Sequence, residues 1–169
     1  MTAPADLAAE TFTMARPGTE LPTLTVPEVT DGTVVRYALA SRDDNPLHLD
    51  AAAAREAGLP GTIVHGMYAM ALLGRLVTGW APQPRLISLK ASFVASVPVG
   101  DSMTCTGTVT DVVGTGGGRH AHVRLAVRRG DGVLVVRGRA VVAVGEHPAT
   151  AADALPGSAV ERPPGRSAL

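Results

Sequence analysis

The sequence predicts an α+β domain in which a buried helix is followed by an antiparallel sheet. The chain has 169 residues, of which 46% are hydrophobic and 18% are charged, and this is enough to form one core. Apolar residues occupy nearly every face of a helix drawn through Ile63 to Trp80, which is typical of a helix buried on all sides. From Leu86 to Val144, strand-like segments alternate with turn residues, which indicates an antiparallel meander.

Short elements are predicted before the buried helix. They are a strand at Leu21–Val26, a helix from Thr30 to Ala40 and a helix at Ala51–Ala57. Side chains in Thr30–Thr33 offer caps for the first helix, and Asp50 offers one for the second helix, which Gly58 ends. Because Pro46 opposes helix continuation, the segment Arg42–Asp50 is predicted to be an irregular loop.

The sheet is predicted from alternation and from residue type. The strands are expected at Leu86–Val94, Met103–Val113, His120–Arg128 and Val133–Val144. Met103–Val113 is rich in threonine and valine, which suit a pleated surface. Turns are expected at Pro98–Asp101, at Gly114–Gly118 and at Gly130–Gly132, where the chain reverses into the last strand.

Both ends of the chain differ in composition from the middle. Residues 19–146 are predicted to form the domain, with a flexible arm at 1–18 before it. Residues 147–169 consist largely of Ala, Pro, Gly and Ser, with too few large apolar side chains to pack. We therefore predict that this tail is disordered.

Composition excludes several classes of function. Fifteen basic and fifteen acidic residues balance, which argues against a nucleic-acid-binding protein. Cys105 is the only cysteine, so neither an internal disulfide nor a metal-cysteine cluster is expected. The longest apolar stretch, Met67–Leu73, is far shorter than the roughly 20 residues that span a bilayer, and no secretory signal is visible. The sequence thus predicts a cytoplasmic protein with no membrane segment.

Two short blocks carry residues suited to acid/base chemistry. The first, Ser41–Asp50, places the Asp43 carboxylate and the His48 imidazole five residues apart. The second, Ile63–Met67, brings a backbone N–H group to the start of the buried helix, where a developing oxyanion is stabilised. Together these groups predict acid/base chemistry beside a polarised carbonyl.

These two blocks resemble those of the MaoC-like dehydratases, which include (R)-specific enoyl-CoA hydratases and (3R)-hydroxyacyl thioester dehydratases. The family pattern is approximately Ser-Gly-Asp-x-Asn-Pro-(Ile/Leu)-His-x-Asp followed by (Ile/Val)-x-His-Gly-Met, and the two blocks are similar to it. The segment Phe93–Asp101 is similar to a further segment of the family. The resemblance implies a single hot-dog fold, an antiparallel sheet wrapped around a long central helix. It also implies hydration or dehydration of an acyl thioester carried by coenzyme A or by an acyl carrier protein.

By position, the resemblance assigns roles to six residues. Asp43 and His48 match the catalytic pair that activates one water molecule, and the Gly66 N–H matches the donor to the thioester carbonyl. Asn45, His65 and Met67 are the other predicted substrate-binding residues; Asn45 is expected mainly to shape its loop, and His65 to be mainly structural.

Two positions depart from the family pattern. Arg42 replaces the usual glycine before the catalytic aspartate, so either the loop differs or the arginine is strained. Gly74 replaces a serine that takes part in hydrogen bonding in many hydratases, which implies a roomier acyl pocket or weaker catalysis. A thioesterase and a non-catalytic acyl-binding or heterodimer-stabilising subunit therefore stay as alternatives.

No metal and no redox cofactor are predicted, and the expected partner is a second copy of the chain or a related subunit. His120 and His122 share a strand face, but they lack a nearby cysteine and share that face with Arg124 and Arg128, which disfavours a metal site. These arginines are typical of a solvated face. The alternative is that they contact the phosphates of coenzyme A or an acidic carrier protein.

Overall fold

The structure is a computed structural model that describes residues 11–115 and 118–145. The helices named here are α1 (Asp31–Ser41), α2 (Pro46–Leu49), α3 (Ala51–Glu56) and α4 (Gly66–Trp80), with a 3-10 turn at Gln83–Arg85. The strands are β1 (Leu24–Val26), β2 (Leu86–Phe93), β3 (Met103–Thr115), β4 (Gly118–Arg129) and β5 (Leu134–Val144). None of the helices in these ranges is long and apolar enough to cross a bilayer.

The sheet is antiparallel throughout and has the strand order β1-β3-β4-β5-β2. Strands β3, β4 and β5 pair in sequence, so the predicted meander is confirmed there. Strand β2 crosses over to pair with β5, which leaves β2 at one edge and the three-residue β1 at the other. The predicted α+β class, with a sheet against a long helix, is confirmed.

Helix α4 packs against one face of the sheet through a row of apolar residues at helical spacing. The buried members are Ala69, Leu72, Leu73, Leu76, Val77 and Trp80. Gly138 of β5 allows a close approach, because a Cβ atom there would lie only 2.8 Å from Leu73 Cδ1 and 2.9 Å from Leu125 Cβ. The prediction that α4 is buried on all sides was wrong, because Met67, Ala71 and Arg75 are exposed on one face of the helix.

The N-terminal part of the chain packs on the domain earlier than predicted. Of the predicted arm, residues 1–10 lie outside the described ranges, whereas Phe12 and Ala15 are buried. The Phe12 ring contacts Trp80 edge to face, with ring centroids 5.5 Å apart. Phe12 and Ala15 stand among mostly polar residues without a helical or strand period, which explains why the sequence indicated a loose arm. The predicted disordered tail also lies outside the described residues.

The short elements before α4 agree with the sequence in kind and differ in their bounds. Thr30 caps α1 by accepting a hydrogen bond from the Thr33 amide, and Asp50 caps α3 through the amides of Ala52 and Ala53. The strand predicted at residues 21–26 is only three residues long. The loop predicted at residues 42–50 was wrong in part, because Pro46 sits at the first turn of α2, where its missing N–H needs no partner.

The remaining predictions concern the sheet and Cys105. The Gly130–Gly132 turn joins β4 to β5 as expected, while pairing in the preceding hairpin continues to Thr115 and Gly118, around residues outside the described ranges. Cys105 is buried in the core, and burial raises the pKa of its thiol to about 11. The thiol therefore stays protonated at neutral pH, as expected of an unreactive core residue.

Candidate active site

The loop between α1 and α2 begins with a backbone conformation that is unfavourable for an arginine. Arg42 has φ 58° and ψ 33°, in the left-handed region, and its N–H caps α1 by donating to the Ala38 carbonyl. A left-handed residue after the last helical turn redirects the chain, which carries Asp43 away from the helix axis. The position therefore requires the conformation that glycine adopts most easily, although an arginine occupies it.

Helix α2, which follows this loop, is fixed to the segment before α4 by a pair of hydrogen bonds at Ile63. The Ile63 N–H donates to the Leu47 carbonyl at 3.1 Å, and the His48 Nδ1 lies 2.7 Å from the Ile63 carbonyl oxygen. Because a carbonyl oxygen only accepts, Nδ1 must carry the proton. The neutral His48 ring consequently has its lone pair on Nε2, where it can act as a base.

His65 is a buried neighbour of both predicted catalytic residues. Its Nε2 lies 3.0 Å from the Asp43 carbonyl oxygen and therefore donates to it, and its ring stacks on that of His48 with centroids 3.8 Å apart. Its Nδ1 is buried and has no hydrogen-bond partner among the described residues. The side chain thus holds the Asp43 backbone and one face of the His48 ring in place.

Tyr37 of α1 completes this cluster, and sequence reasoning missed it. Its ring centroid lies 5.0 Å from that of His65 and 5.4 Å from that of Tyr68. Burial, and then the negative charge of Asp43, raises the pKa of the Tyr37 hydroxyl. Tyr37 is therefore a neutral group next to the carboxylate. Its position one turn before the end of α1, six residues before Asp43, was the signal available in the sequence.

The N-terminus of α4 faces the same region. Gly66 is its first residue, and no side chain caps this end. The first N–H groups of a helix have no partner within the helix and carry a partial positive charge, so they suit an oxyanion. A Cβ at Gly66 would lie 3.3 Å from two atoms of the Phe93 ring. The absence of a side chain therefore keeps the space beside this amide open.

A pocket of about 280 Å³ lies beside these groups. Its polar lining comes from His48, His65, Ser96 and the Gly66 backbone, and its apolar wall includes Phe93, Ala95, Val97 and Val136. The Asp43 carboxylate and a ring nitrogen of each histidine lie within 4.8 Å of one another. A water molecule and an acyl carbonyl group can therefore meet polar groups on one side and an apolar surface on the other.

The same three side chains are close enough to be considered as metal ligands. Each histidine already has one ring nitrogen hydrogen-bonded to a backbone carbonyl, and the two rings overlap with their planes tilted by 30°. Ring nitrogens that bind one metal ion point towards a common position, whereas stacked rings direct theirs side by side. The geometry fits an acid/base site better than a metal site.

The predicted site residues separate into two groups in the structure. Asp43, His48, His65 and Gly66 lie together. Asn45 accepts a hydrogen bond from the Leu47 amide and so caps α2, in agreement with its expected structural role. Met67 is 53% exposed. Asn45, Met67 and Asp43 are not among the residues that line the pocket, but the Asp43 carboxylate lies next to two that are, His48 and His65.

Comparison with known proteins gives a consistent family assignment. A family model described as the MaoC like domain matches residues 13–128. The structure of an (R)-hydratase from A. caviae involved in PHA biosynthesis is 30% identical, with a TM-score of 0.66 over 76% of this chain and 96% of that chain. The ChsH1-ChsH2 complex from Mycobacterium tuberculosis is 26% identical, with a TM-score of 0.67 over 77% and 98%.

Curated relatives match over shorter stretches. A mitochondrial 3-hydroxyacyl-[acyl-carrier-protein] dehydratase of Arabidopsis thaliana is 36% identical over 67 residues, which is 40% of each protein. This chain spans only 2% of the fatty acid synthase beta subunit hexB of Dothistroma septosporum, to which it is 54% identical over 46 residues. It therefore spans less than half the length of these curated relatives.

Proposed function

Because the chain belongs to the MaoC-like dehydratase family, we propose that it catalyses the reversible hydration of 2-enoyl thioesters to (3R)-3-hydroxyacyl thioesters. The observation that carries the proposal is the meeting of the Asp43 carboxylate, the His48 ring and the start of α4. This arrangement offers a base for water and a donor for the thioester oxygen within one small pocket.

In the hydration direction, Asp43 and His48 hold one water molecule next to C3 of the enoyl chain. The lone pair on His48 Nε2 takes a proton from water as its oxygen bonds to C3. The electrons of the double bond move onto the thioester oxygen, where the Gly66 N–H and the helix dipole stabilise the negative charge. His48 then returns the proton that it took from water to C2 on the same side, which gives the 3-hydroxyacyl product and restores the neutral ring. Dehydration follows these steps in reverse.

The test is an assay with crotonyl-CoA and longer 2-enoyl thioesters, measured as loss of the enoyl absorbance. The Asp43→Asn variant removes the carboxylate while keeping its size, and we expect it to lower kcat by about 10²-fold or more. Asp44→Asn is the matched control, because Asp44 is the exposed neighbour of Asp43. If the wild type is active and the Asp43→Asn variant has the same kcat, the proposed mechanism is refuted.

Thiol release, measured in the same samples, separates hydration from the thioesterase alternative. Free thiol appearing without formation of a 3-hydroxyacyl product would replace the hydratase by a hydrolase. If no 2-enoyl thioester is hydrated, on either carrier and at any chain length, the non-catalytic subunit becomes the favoured alternative. The departures at Arg42 and Gly74 support that alternative.

We further propose a dimer formed at the β2 edge of the sheet. One side of β2 pairs with β5, and no described strand pairs with its other side. An open strand edge tends to pair with another strand, and Ile87 and Phe93 of this strand expose apolar surface. Sedimentation equilibrium of the purified chain tests this: a monomer at micromolar concentration would point instead to a related subunit as the partner. The cytoplasmic location stays a prediction.

A further inference from the structure

The sheet face opposite α4 carries a cluster of basic residues, which we call the basic groove. Its members are Lys90, Arg124, Arg128, Arg137 and Arg139. They come from β2, β4 and β5, which are adjacent in the sheet, and they border an open groove of about 700 Å³. Hydroxyl groups of Ser92, Thr106 and Thr108 also line it. The groove is thus separate from the pocket beside α4.

The strand register places like charges directly beside one another. Arg124 pairs with Arg139, and Arg139 pairs with Lys90, so three cations form one row across three strands. Like charges directly opposite each other destabilise a sheet. Arg129 and Asp131 form an ion pair, but none of the five cations of the basic groove has one within the described ranges. The carboxylate residue Glu20 belongs to the same row, but it is not next to Arg124, because Thr108 lies between them.

The extent and lining of the groove fit a protein surface better than a nucleotide. Two strand spacings across and four residues along a strand give about 10 by 13 Å, which is wide enough for several carboxylates. No aromatic side chain is among the groove's lining residues, so there is no platform on which a base could stack. Val94, Ala126 and Leu134 add apolar surface between the cations.

The basic groove and the catalytic pocket share one segment of chain. Ser92 and Val94 line the groove, whereas Phe93 and Ala95 line the pocket. On the paired strand, the two cavities are again divided by neighbouring residues, with Leu134 on the groove side and Val135 on the pocket side. A partner seated in the groove therefore lies beside the strand ends that also form the pocket wall.

From these observations we infer that the basic groove docks an acidic carrier protein that delivers the acyl thioester. The inference rests on the proposed hydratase function and identifies the carrier class. Several surface carboxylates of the carrier would neutralise the row of like charges, and its apolar residues would contact the floor of the groove. Binding through exposed charges is sensitive to salt and speeds association.

The experiment measures binding and catalysis separately. Binding of a bacterial type II holo acyl carrier protein, labelled with a fluorophore, is followed by anisotropy with the wild type and with the Arg124→Gln/Arg139→Gln variant. Arg36→Gln/Arg55→Gln removes the same charge from exposed positions on α1 and α3, outside the groove, and is the matched control. Hydration is then assayed with the crotonyl group on this carrier and on coenzyme A.

We expect the groove variant to weaken carrier binding by about tenfold or more at low salt, while the control stays within about twofold. The KM for the carrier-borne substrate should rise by a similar factor, with kcat and the KM for crotonyl-CoA unchanged. The melting temperature of the groove variant should be equal to or above that of the wild type, because like-charge repulsion is relieved.

Other outcomes would overturn the inference. Equal loss of affinity in groove variant and control would mean that only net charge matters. A raised KM for crotonyl-CoA in the groove variant would assign the groove to the nucleotide of coenzyme A. If none of the substitutions changes carrier binding, the cations of the basic groove are only a solvated face of the sheet. Because anisotropy needs no turnover, these results are readable even if the hydratase proposal fails.

Discussion

The two ends of α4 differ in chemistry although they belong to one continuous helix. At the N-terminal end, no side chain caps Gly66, and two imidazole rings lie beside it. In the C-terminal half, the sheet-facing residues are at most 4% exposed, and Trp80 packs against Phe12. The comparison teaches that one element can present free polar groups at one end because the other end is held in a dry, tightly packed core.

The strongest test of this division is a change at the polar end that leaves the core untouched. We expect His48→Asn to lower kcat by about 10²–10⁴-fold, since the amide cannot act as the base. The free energy of unfolding should change by less than about 1 kcal/mol, because the Asn amide nitrogen takes the place of Nδ1 and can still donate to the Ile63 carbonyl. Hydratase assays and urea denaturation measure the two quantities. A large loss of stability with little loss of rate would break the comparison.

At the packed end, stability should respond first. Gly138→Ala forces a Cβ into Leu73 and Leu125, and we expect it to lower the free energy of unfolding by about 1–3 kcal/mol. Gly66→Ala is the matched change at the polar end, where the Phe93 ring is half-exposed and can move aside. It should cost less than about 1 kcal/mol of stability and show its effect in kcat instead. The reverse order in denaturation curves would contradict the assignment of the two ends.

A third test concerns backbone strain beside the polar end. Arg42→Gly should raise the free energy of unfolding by about 1 kcal/mol, because glycine adopts φ 58° without a clash of Cβ. Arg42→Ala keeps the Cβ and is the control that should bring no such gain. Both variants should retain kcat if the strain is separate from the chemistry. A fall in kcat for Arg42→Gly alone would show that the strained loop takes part in positioning Asp43.

The smallest effects are expected at Gly74, in the middle of α4, where the two regions meet. A Cβ there would meet only Leu89 Cδ2 at 3.8 Å, so Gly74→Ala should fit and add up to about 1 kcal/mol of stability. Gly74→Ser adds the hydroxyl that many family members carry, and we expect it to raise kcat severalfold over Gly74→Ala. Equal kcat values in the two variants would leave a roomier pocket as the role of this glycine.

The sequence predicted those parts of the fold that depend on local pattern. Helix α4 and the hairpins of β3, β4 and β5 follow from periodicity and turn residues, and Thr30 and Asp50 cap helices as expected. The packing of Phe12 and Ala15 depends instead on contacts with distant residues, such as Trp80. Exposure of one face of α4 was missed for the same reason, since composition alone does not show what covers a helix.

At the candidate site, the sequence identified residue types but not their mutual arrangement. The proximity of His65 to Asp43, 22 positions apart, arises only when the loop folds back through the Ile63 hydrogen bonds. Tyr37 has no motif around it and joins the cluster because α1 packs beside α4. The positive φ of Arg42 opposes the residue's own preference, so propensity did not predict it; the glycine of the family pattern at this position did, as one of two alternatives.

The alternation of side chains along residues 92–95 has a consequence for how specificity can diverge. Positions 93 and 95 border the pocket beside α4, whereas positions 92 and 94 border the basic groove. Substitutions at positions 93 and 95 would therefore change which acyl groups the pocket accepts. Substitutions at positions 92 and 94 would change which carrier binds in the basic groove. If the basic groove binds the carrier, selectivity for the acyl group and selectivity for the carrier could then change independently within four consecutive residues.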